Sequence, residues 1–285
     1  MNTKIFKNNM YKHRQRILVI VTIFFLIIFI SACTAGANGT TEKSVPGNNR
    51  STLHTILEKG TIRVGTTGDF NPMSFKDPAT GEYAGHDIEM VKQLAEDMGV
   101  EVDWVATDWK NLVSGVAAGK YDITTGASYS MGRAKTAGYT LPVVNVGTVP
   151  LTLKKNIGKY TTWDDINNAD VSVAVTLGTI FQEQALSIFP NAQIVSVESP
   201  ARDFQEVLAG RTDVSITSTF EASQLIKTYP ELMIIPVAEP KFANGIGLLA
   251  PQNDQVFINY LNIWITMKTK SGYLQELEDK WLALK

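Results

Sequence analysis

Two stretches of the sequence carry groups able to hold a small anion. Arg133 lies five residues after Ser128, just beyond the strand-like run Asp122–Thr125. A planar guanidinium pairs with a carboxylate through two parallel hydrogen bonds, a geometry that a lysine ammonium does not reproduce. A surface arginine in a loop is the plainer alternative. Gly178-Thr179-Ile180 separates a strand pattern from a helix pattern. The first turn of a helix presents unpaired N–H groups and partial positive charge, so this junction is a seat for an anion, and Thr179 also suits ordinary capping there. Reactive patterns are absent: there is no G-x-G-x-x-G, Walker A, H-E-x-x-H or G-x-S-x-G sequence. His13, His54 and His86 are far apart in the chain, so neither a metal site nor a cofactor is expected. His86 precedes Asp87 and Glu89 at a helix start, where Asp87 reads as a surface cap.

These groups need a scaffold, and the hydrophobic spacing supplies one. Strand patterns over Thr61–Gly65, Val100–Val105 and Asp122–Thr125 alternate with helix patterns over Asp87–Met98 and Trp109–Ala118. A second set follows. Its strands are Val171–Val175, Ala192–Val197 and Asp213–Ile216, and its helices are Thr179–Phe189, Ala201–Ala209 and Thr219–Tyr229. Such alternation predicts parallel sheets covered by helices, here as two α/β lobes. Extended stretches at Pro142–Leu153 and Phe242–Ala250 join the sets, and a helical pair ends near Trp281. Gly99, Gly119 and Gly210 each follow a helix, where a positive φ commonly ends it.

The composition has 44% apolar and 19% charged residues, which suits a sizeable core. The formal charge of −2 hides an asymmetry. The first 32 residues hold five of the 26 basic residues and no acid, so the remainder carries 21 basic and 28 acidic residues, a balance of −7. That balance argues against nucleic acid as a partner. Lys4–Arg16 form a basic leader, Ile17–Ile30 are apolar except for Thr22, and Ser31-Ala32-Cys33 follow. Residues 1–32 read as a secretory signal. Ile30-Ser31-Ala32-Cys33 resembles a bacterial lipobox, whose cysteine is lipidated after cleavage. Sixteen apolar or small residues, Ile17–Ala32, are short for a membrane span of about 20. Residues 33–50, rich in Gly, Ala, Thr, Ser and Asn, read as a flexible tether on that anchor.

The order of several motifs resembles the type II periplasmic binding fold, and above all the polar amino-acid binding proteins of ABC importers. The motifs are Thr66-Thr67-Gly68-Asp69-Phe70-Asn71-Pro72, Gly85-His86-Asp87-Ile88-Glu89, Trp109, Gly119-Lys120-Tyr121-Asp122-Ile123, Ser128 with Arg133, and Gly178-Thr179. The resemblance implies a monomeric receptor that holds an amino acid or similar small carboxylate between two lobes and delivers it to a permease. It implies lobe 1 over residues 51–146 plus 242–285, lobe 2 over 147–241, and two crossover strands as the hinge. Carried over residue by residue, Arg133 binds the ligand carboxylate with help from Ser128 and the Gly126 backbone. Thr179, Ile180 and Phe181 face it from the second lobe, and Phe70 and Trp109 sandwich the ligand. Where the family pairs an Asp with the α-ammonium, this chain has Ser218; Glu221, about one helical turn on, is either a substitute or a solvated helix residue. The Thr-Thr-Gly-Asp-aromatic stretch is also similar to cyclohexadienyl (prephenate/arogenate) dehydratases on this fold. Their general acid is a Glu two residues after the Gly-Thr pair, and Phe181 stands there instead; Glu183, two residues further along the helix, is expected to point elsewhere. The residues therefore point to a binding protein without enzymatic turnover.

Acylation at Cys33 is expected to supply the membrane anchor. Cys33→Ser should release the chain from the membrane fraction, and wild type, but not the variant, should incorporate a palmitate analogue in metabolic labelling. An unlabelled wild type would remove the lipobox reading.

Overall fold

Ser51 caps the first described helix: its Oγ accepts from the Leu53 N–H and donates to Asp254 Oδ1 at 2.9 Å. The computed structural model describes residues 50–283, which belong to one compact unit. Helix α1 (Thr52–Lys59) leads into β1 (Thr61–Thr66). A small antiparallel sheet follows, made of β2 (Asp69–Phe70), β3 (Ser74–Lys76) and β4 (Tyr83–Ala84). Helix α2 (His86–Met98), strand β5 (Glu101–Ala106), helix α3 (Leu112–Ala117) and strand β6 (Ile123–Thr124) complete the first α/β set. In it β1 lies between β5 and β6, parallel to both. The expected helix at Trp109 begins three residues late. Asp108 accepts from the Asn111 backbone N–H and side-chain amide, both at 2.9 Å, and holds Trp109 in a turn.

After β7 (Ala127–Ser128), the one-turn α4 (Met131–Ala134) and β8 (Ala137–Tyr139), the chain enters β9 (Val144–Leu153). The second set comprises α5 (Trp163–Ile166), β10 (Ser172–Thr176), α6 (Ile180–Ile188), β11 (Gln193–Val197), α7 (Asp203–Leu208), β12 (Val214–Ser218), α8 (Thr219–Thr228) and β13 (Leu232–Ile234). Strand β10 runs parallel to β11 and β12, whereas β9 is antiparallel to β12, β13 and the returning β14 (Lys241–Gly247). Strand β12 extends two residues beyond expectation because Thr217 and Ser218 stay in register with Val149 and Thr148 of β9. Strand β15 (Leu249–Pro251) pairs with β8, and α9 (Gln255–Lys270) and α10 (Tyr273–Trp281) close the fold.

The architecture is the two-lobed α/β fold anticipated from the alternation. One core gathers Ile62, Val64, Leu94, Ile123, Leu248 and Phe257 with their neighbours; two others, around Val173 and Phe189 and around Leu151 and Phe204, fill the second set. Gly99, Gly119 and Gly210 end their helices at φ 70°, 68° and 69°, as the sequence predicts. No helix among the described residues is long and apolar enough to cross a membrane. The expectations for the signal, Cys33 and the tether up to residue 49 lie outside the described residues.

Candidate functional site

Arg133 sits inside α4, not in a solvated loop, and is 7% exposed. Ser130 caps that turn, its Oγ accepting from Gly132 N at 3.1 Å and Arg133 N at 3.4 Å. The guanidinium donates to two carbonyls, Ser128 O at 3.2 Å and Gly178 O at 3.0 Å. The second of these reaches across from β7 and α4 to the strand–helix junction ahead of α6. Among the described residues Arg133 has no carboxylate partner. Tyr139 donates to Ser128 O at 2.7 Å, and burial raises its phenol above the ordinary value against the pull of Arg133.

Gly126 and Ser128 lead into this corner. The Gly126 N–H donates to Asp87 Oδ2 at 2.8 Å, and Asp87 Oδ1 lies 3.0 Å from His86 Nδ1. Asp87 is thus no surface cap: Asp87 and His86 are wholly buried, and Gly85 precedes the helix with no side-chain cap. The reason is local. Asp87 supplies the acceptor that a buried turn at Gly126 needs, and a Cβ on Gly126 would stand 2.8 Å from that carboxylate and 2.5 Å from Ile246 Cγ2. The Gly126 amide is therefore engaged within the protein.

On the facing side, Gly178 has φ 82°, and a Cβ there would lie 2.6 Å from Lys110 Cα. Only glycine allows the turn to rest on the Trp109–Lys110 backbone. Thr179 heads α6, yet its Oγ1 donates back to Thr176 O at 2.6 Å and caps no helical N–H. Ile180 is buried, and Phe181 packs against the core around Tyr160, Val173 and Phe189. Glu183 does not point away: it accepts from Ser130 Oγ at 3.0 and 3.2 Å, linking α6 to the cap of α4. Lys110 and Glu198 form a further ion pair along this seam. Phe70 and Trp109 meet edge-on, centroids 5.7 Å apart, and both also belong to the first core. Trp109 Nε1 donates to Asp69 Oδ1 at 2.9 Å.

Ser218 is wholly buried, and its Oγ accepts from the Glu221 N–H at 3.0 Å as the cap of α8. Glu221 is 3% exposed, which overturns its reading as a solvated helix residue. It accepts from Arg202 Nη2 at 2.8 Å and from Thr217 Oγ1. Sequence reasoning missed Arg202 and Asp203. They stand where α7 starts, two residues later than expected because Gln205 Oε1 accepts the Arg202 N–H and fixes Arg202 as the cap position. The charged pair at a helix start looked like any solvated first turn; only a pairing with α8 and β2, distant in sequence, distinguishes it. Burial opposes the charge on Arg202, but Glu221, Asp69 and Asp203 outweigh it and raise its pKa. Burial pushes the Glu221 carboxyl up to about 7 against the pull of Arg202, and it raises Asp203 as well.

Comparison with known proteins bears on this arrangement. The family model for bacterial extracellular solute-binding proteins, family 3, matches residues 62–284. A cyclohexadienyl dehydratase of Pseudomonas aeruginosa is 31% identical over 234 residues, 81% of this chain and 86% of that one. The L-cystine-binding protein TcyJ of Escherichia coli is 27% identical over 233 residues, with the same two coverages of 81% and 86%. A crystal structure of AncCDT-1, an ancestral amino acid-binding protein and precursor of cyclohexadienyl dehydratase, matches with a TM-score of 0.76 and 34% identity. It covers 82% of this chain and 100% of its own.

The raised Glu221 carboxyl has a pH signature. Its folded value, about 7, exceeds the ordinary 4.5, so the stability it contributes is complete below pH 4.5 and is lost as pH rises through 7. Measured on the full chain in detergent, wild-type Tm should fall by a few degrees relative to Glu221→Gln between pH 4.5 and 7.5, then run parallel to it. A constant difference across that range would contradict the assignment.

Proposed function

Because the chain belongs to the bacterial extracellular solute-binding proteins of family 3, we propose that it is the receptor of an ABC importer, taking an amino acid or similar small carboxylate between its lobes. The observation that carries this reading is Arg133: a buried guanidinium at the junction of two lobes, bonded only to carbonyls among the described residues. A buried cation held by neutral acceptors gains most from a carboxylate, and exclusion of water strengthens that pair. Ser128 lies beside it. The start of α6 offers the Ile180 backbone N–H from the other side, the Thr179 N–H being given to Thr176 O at 3.3 Å, and Phe70 and Trp109 wall the ligand. Ser218 stands where the family pairs an Asp with the α-ammonium, but its Oγ caps α8 and Glu221 is held by Arg202 and Thr217, so neither takes that role here. Phe181, packed on its own core, shapes α6 and leaves ligand contact to its neighbours.

In this reading the lobes comprise residues 51–146 plus 242–285 and residues 147–241, and they turn about β9 and β14. The acylated Cys33 anchors the receptor on the outer face of the cytoplasmic membrane, the tether gives it reach, and it works as a monomer handing its ligand to a permease. No metal or cofactor enters this scheme.

One observation favours a second reading, dehydration of prephenate or arogenate: burial raises the Glu221 carboxyl to about 7, so near neutral pH it divides between its protonated and ionised forms. Against it, Glu221 is committed to Arg202 and Thr217, and Phe181 occupies the acid's place in the resemblance. Pure full-length protein should therefore show no release of phenylpyruvate from prephenate. Saturable turnover that Glu221→Gln abolishes would establish the enzyme instead.

Removing one member of a buried charged pair costs about 2–5 kcal/mol, roughly 30-fold to several thousand-fold in affinity. Arg133→Ala should lose that much for whichever amino acid a thermal-shift screen identifies. Arg133→Lys should lose most of it, since the fork geometry goes while the charge stays. Arg63, paired with Asp122 at 2.6 Å on β1, is the control, and Arg63→Ala should leave affinity unchanged. Calorimetric titration decides: Arg133→Ala binding within about threefold of wild type would remove Arg133 from the site.

A further inference from the structure

Beside Phe70 and Trp109, three carboxylates converge on one guanidinium. Arg202 Nη2 donates to Glu221 Oε1 at 2.8 Å. Nη1 reaches across to β2, donating to the Asp69 carbonyl and lying 3.4 Å from Asp69 Oδ2. Nε lies 3.8 Å from Asp203 Oδ1 and donates to Thr176 Oγ1 at 3.3 Å. Arg202, Asp203 and Glu221 are 7%, 3% and 3% exposed. Asp69 is tied in turn to the aromatic wall, through Trp109 Nε1. The cluster therefore belongs to both lobes at the site's aromatic end.

Its charge is lopsided. Against the single positive charge of Arg202 stand three carboxyl groups, and one of their oxygens, Asp203 Oδ2, is buried with no hydrogen-bond partner. Buried carboxylates are tolerated only when a cation or donors compensate them, so a wall of this composition demands a positive group. In a receptor whose ligand bore a guanidinium or ammonium side chain, the ligand would supply it. Here the chain supplies its own. Arg202 already uses Nε, Nη1 and Nη2, and its planar fork fills the acidic wall.

We infer that Arg202 is a specificity-determining residue: it occupies, from within the chain, the acid-lined seat where a cationic ligand side chain would sit, so that the cleft takes amino acids with uncharged side chains and rejects arginine and lysine. This rests on the receptor reading above. A second cation would meet like charge at a desolvated site and find its acceptors taken, a penalty of the kind that specific sites use against wrong ligands. Removing Arg202 reverses the situation, since three carboxyl groups then lack their cation and an external one is drawn in.

The experiment uses the full chain in detergent, as wild type, Arg202→Ala and Arg202→Lys. Calorimetry with L-arginine should give at least a hundredfold tighter binding to Arg202→Ala than to wild type, and Arg202→Lys, which keeps the charge, should still exclude arginine. Methylguanidinium at millimolar concentration should raise the melting temperature of Arg202→Ala and leave wild type unchanged. That arm probes the seat itself, whether or not the cleft takes amino acids. Wild type binding arginine or lysine as tightly as any uncharged amino acid would overturn the inference even if Arg202→Ala failed to fold. So would a folded Arg202→Ala that gains neither arginine binding nor stabilisation by methylguanidinium. Failure of the receptor reading has a different signature: no amino acid binds wild type, while the methylguanidinium effect persists.

Discussion

Strand β9 is shared by two cores, and the rest of the site depends on that sharing. Val144 and Val146 pack into the first core, and Val149 and Leu151 into another. Because side chains alternate along a strand, a slip of one residue would bury exposed Asn145 and expel both valines. The register is thereby fixed in the first half of the strand, where buried and exposed residues alternate. Strand β14 follows it from Ile246 opposite Val144 to Lys241 opposite Thr148, with an irregularity between Lys241 and Asn244. Phe242 lies in that irregular stretch at φ 52°, a conformation that non-glycine residues seldom adopt. A change of angle between the lobes would break the fewest ladder bonds there, while the rest of β9 stays locked.

With the strands fixing how the lobes approach, small residues and buried charges decide what happens at the contact. Gly178 is pressed so close to Lys110 that no side chain fits. Its carbonyl, aimed at Arg133, brings a cation from α4 onto the start of α6. Each polar group drawn into such a seam loses water and must find a partner in the protein. Glu183 finds Ser130, Asp87 finds Gly126, and Glu221 and Asp69 find Arg202. Unlike Arg202 and Lys110, whose partners include carboxylates, Arg133 has only neutral acceptors among the described residues. In the proposed receptor reading, this contrast is what an anionic ligand would exploit.

Much of the scaffold was legible in the sequence because it is written in local periodicity. Every strand and helix expected for the two sets is present, the shifts in their bounds come from single side chains or strand pairing, and the short β2–β4, α5 and β13 were not anticipated. Asp108 delays α3, Gln205 delays α7, and the ladder with β9 extends β12. Buried polar groups were less legible. Asp87 and Glu221 have the composition of solvated helix starts, and nothing within a few residues reveals that a turn 39 residues away, or an arginine 19 residues upstream, will claim them. Arg202 escaped notice for the same reason. The Gly178 turn was legible as a glycine between strand and helix, whereas Arg133 was singled out through the family resemblance, since its local spacing alone also suits a surface arginine in a loop.

Helix α6 shows how little separates a binding cleft from a catalytic one on such a scaffold. Consecutive residues of an α-helix are turned by about 100°, so positions 181 and 183 lie on nearly opposite faces. Phe181 faces the core of its own lobe, whereas Glu183 faces α4 and bonds Ser130. An acid at the first position and one at the second therefore serve different purposes, although only one residue separates them. The carboxylate of Glu183 spends both oxygens on a hydroxyl that also caps the Arg133 turn. It acts on the approach of the lobes and on the placing of the guanidinium, which are requirements of holding a ligand. A proton donor has the opposite requirement: a carboxyl group free to give up its proton to a substrate and aimed at a leaving group. Of the two carboxyls here that burial raises, Glu221 is locked to Arg202 and Thr217, and Asp203 lies beside Arg202. The acids that line this site are thus engaged in charge compensation and lobe contact, and that use of them is the physical content of reading the chain as a receptor.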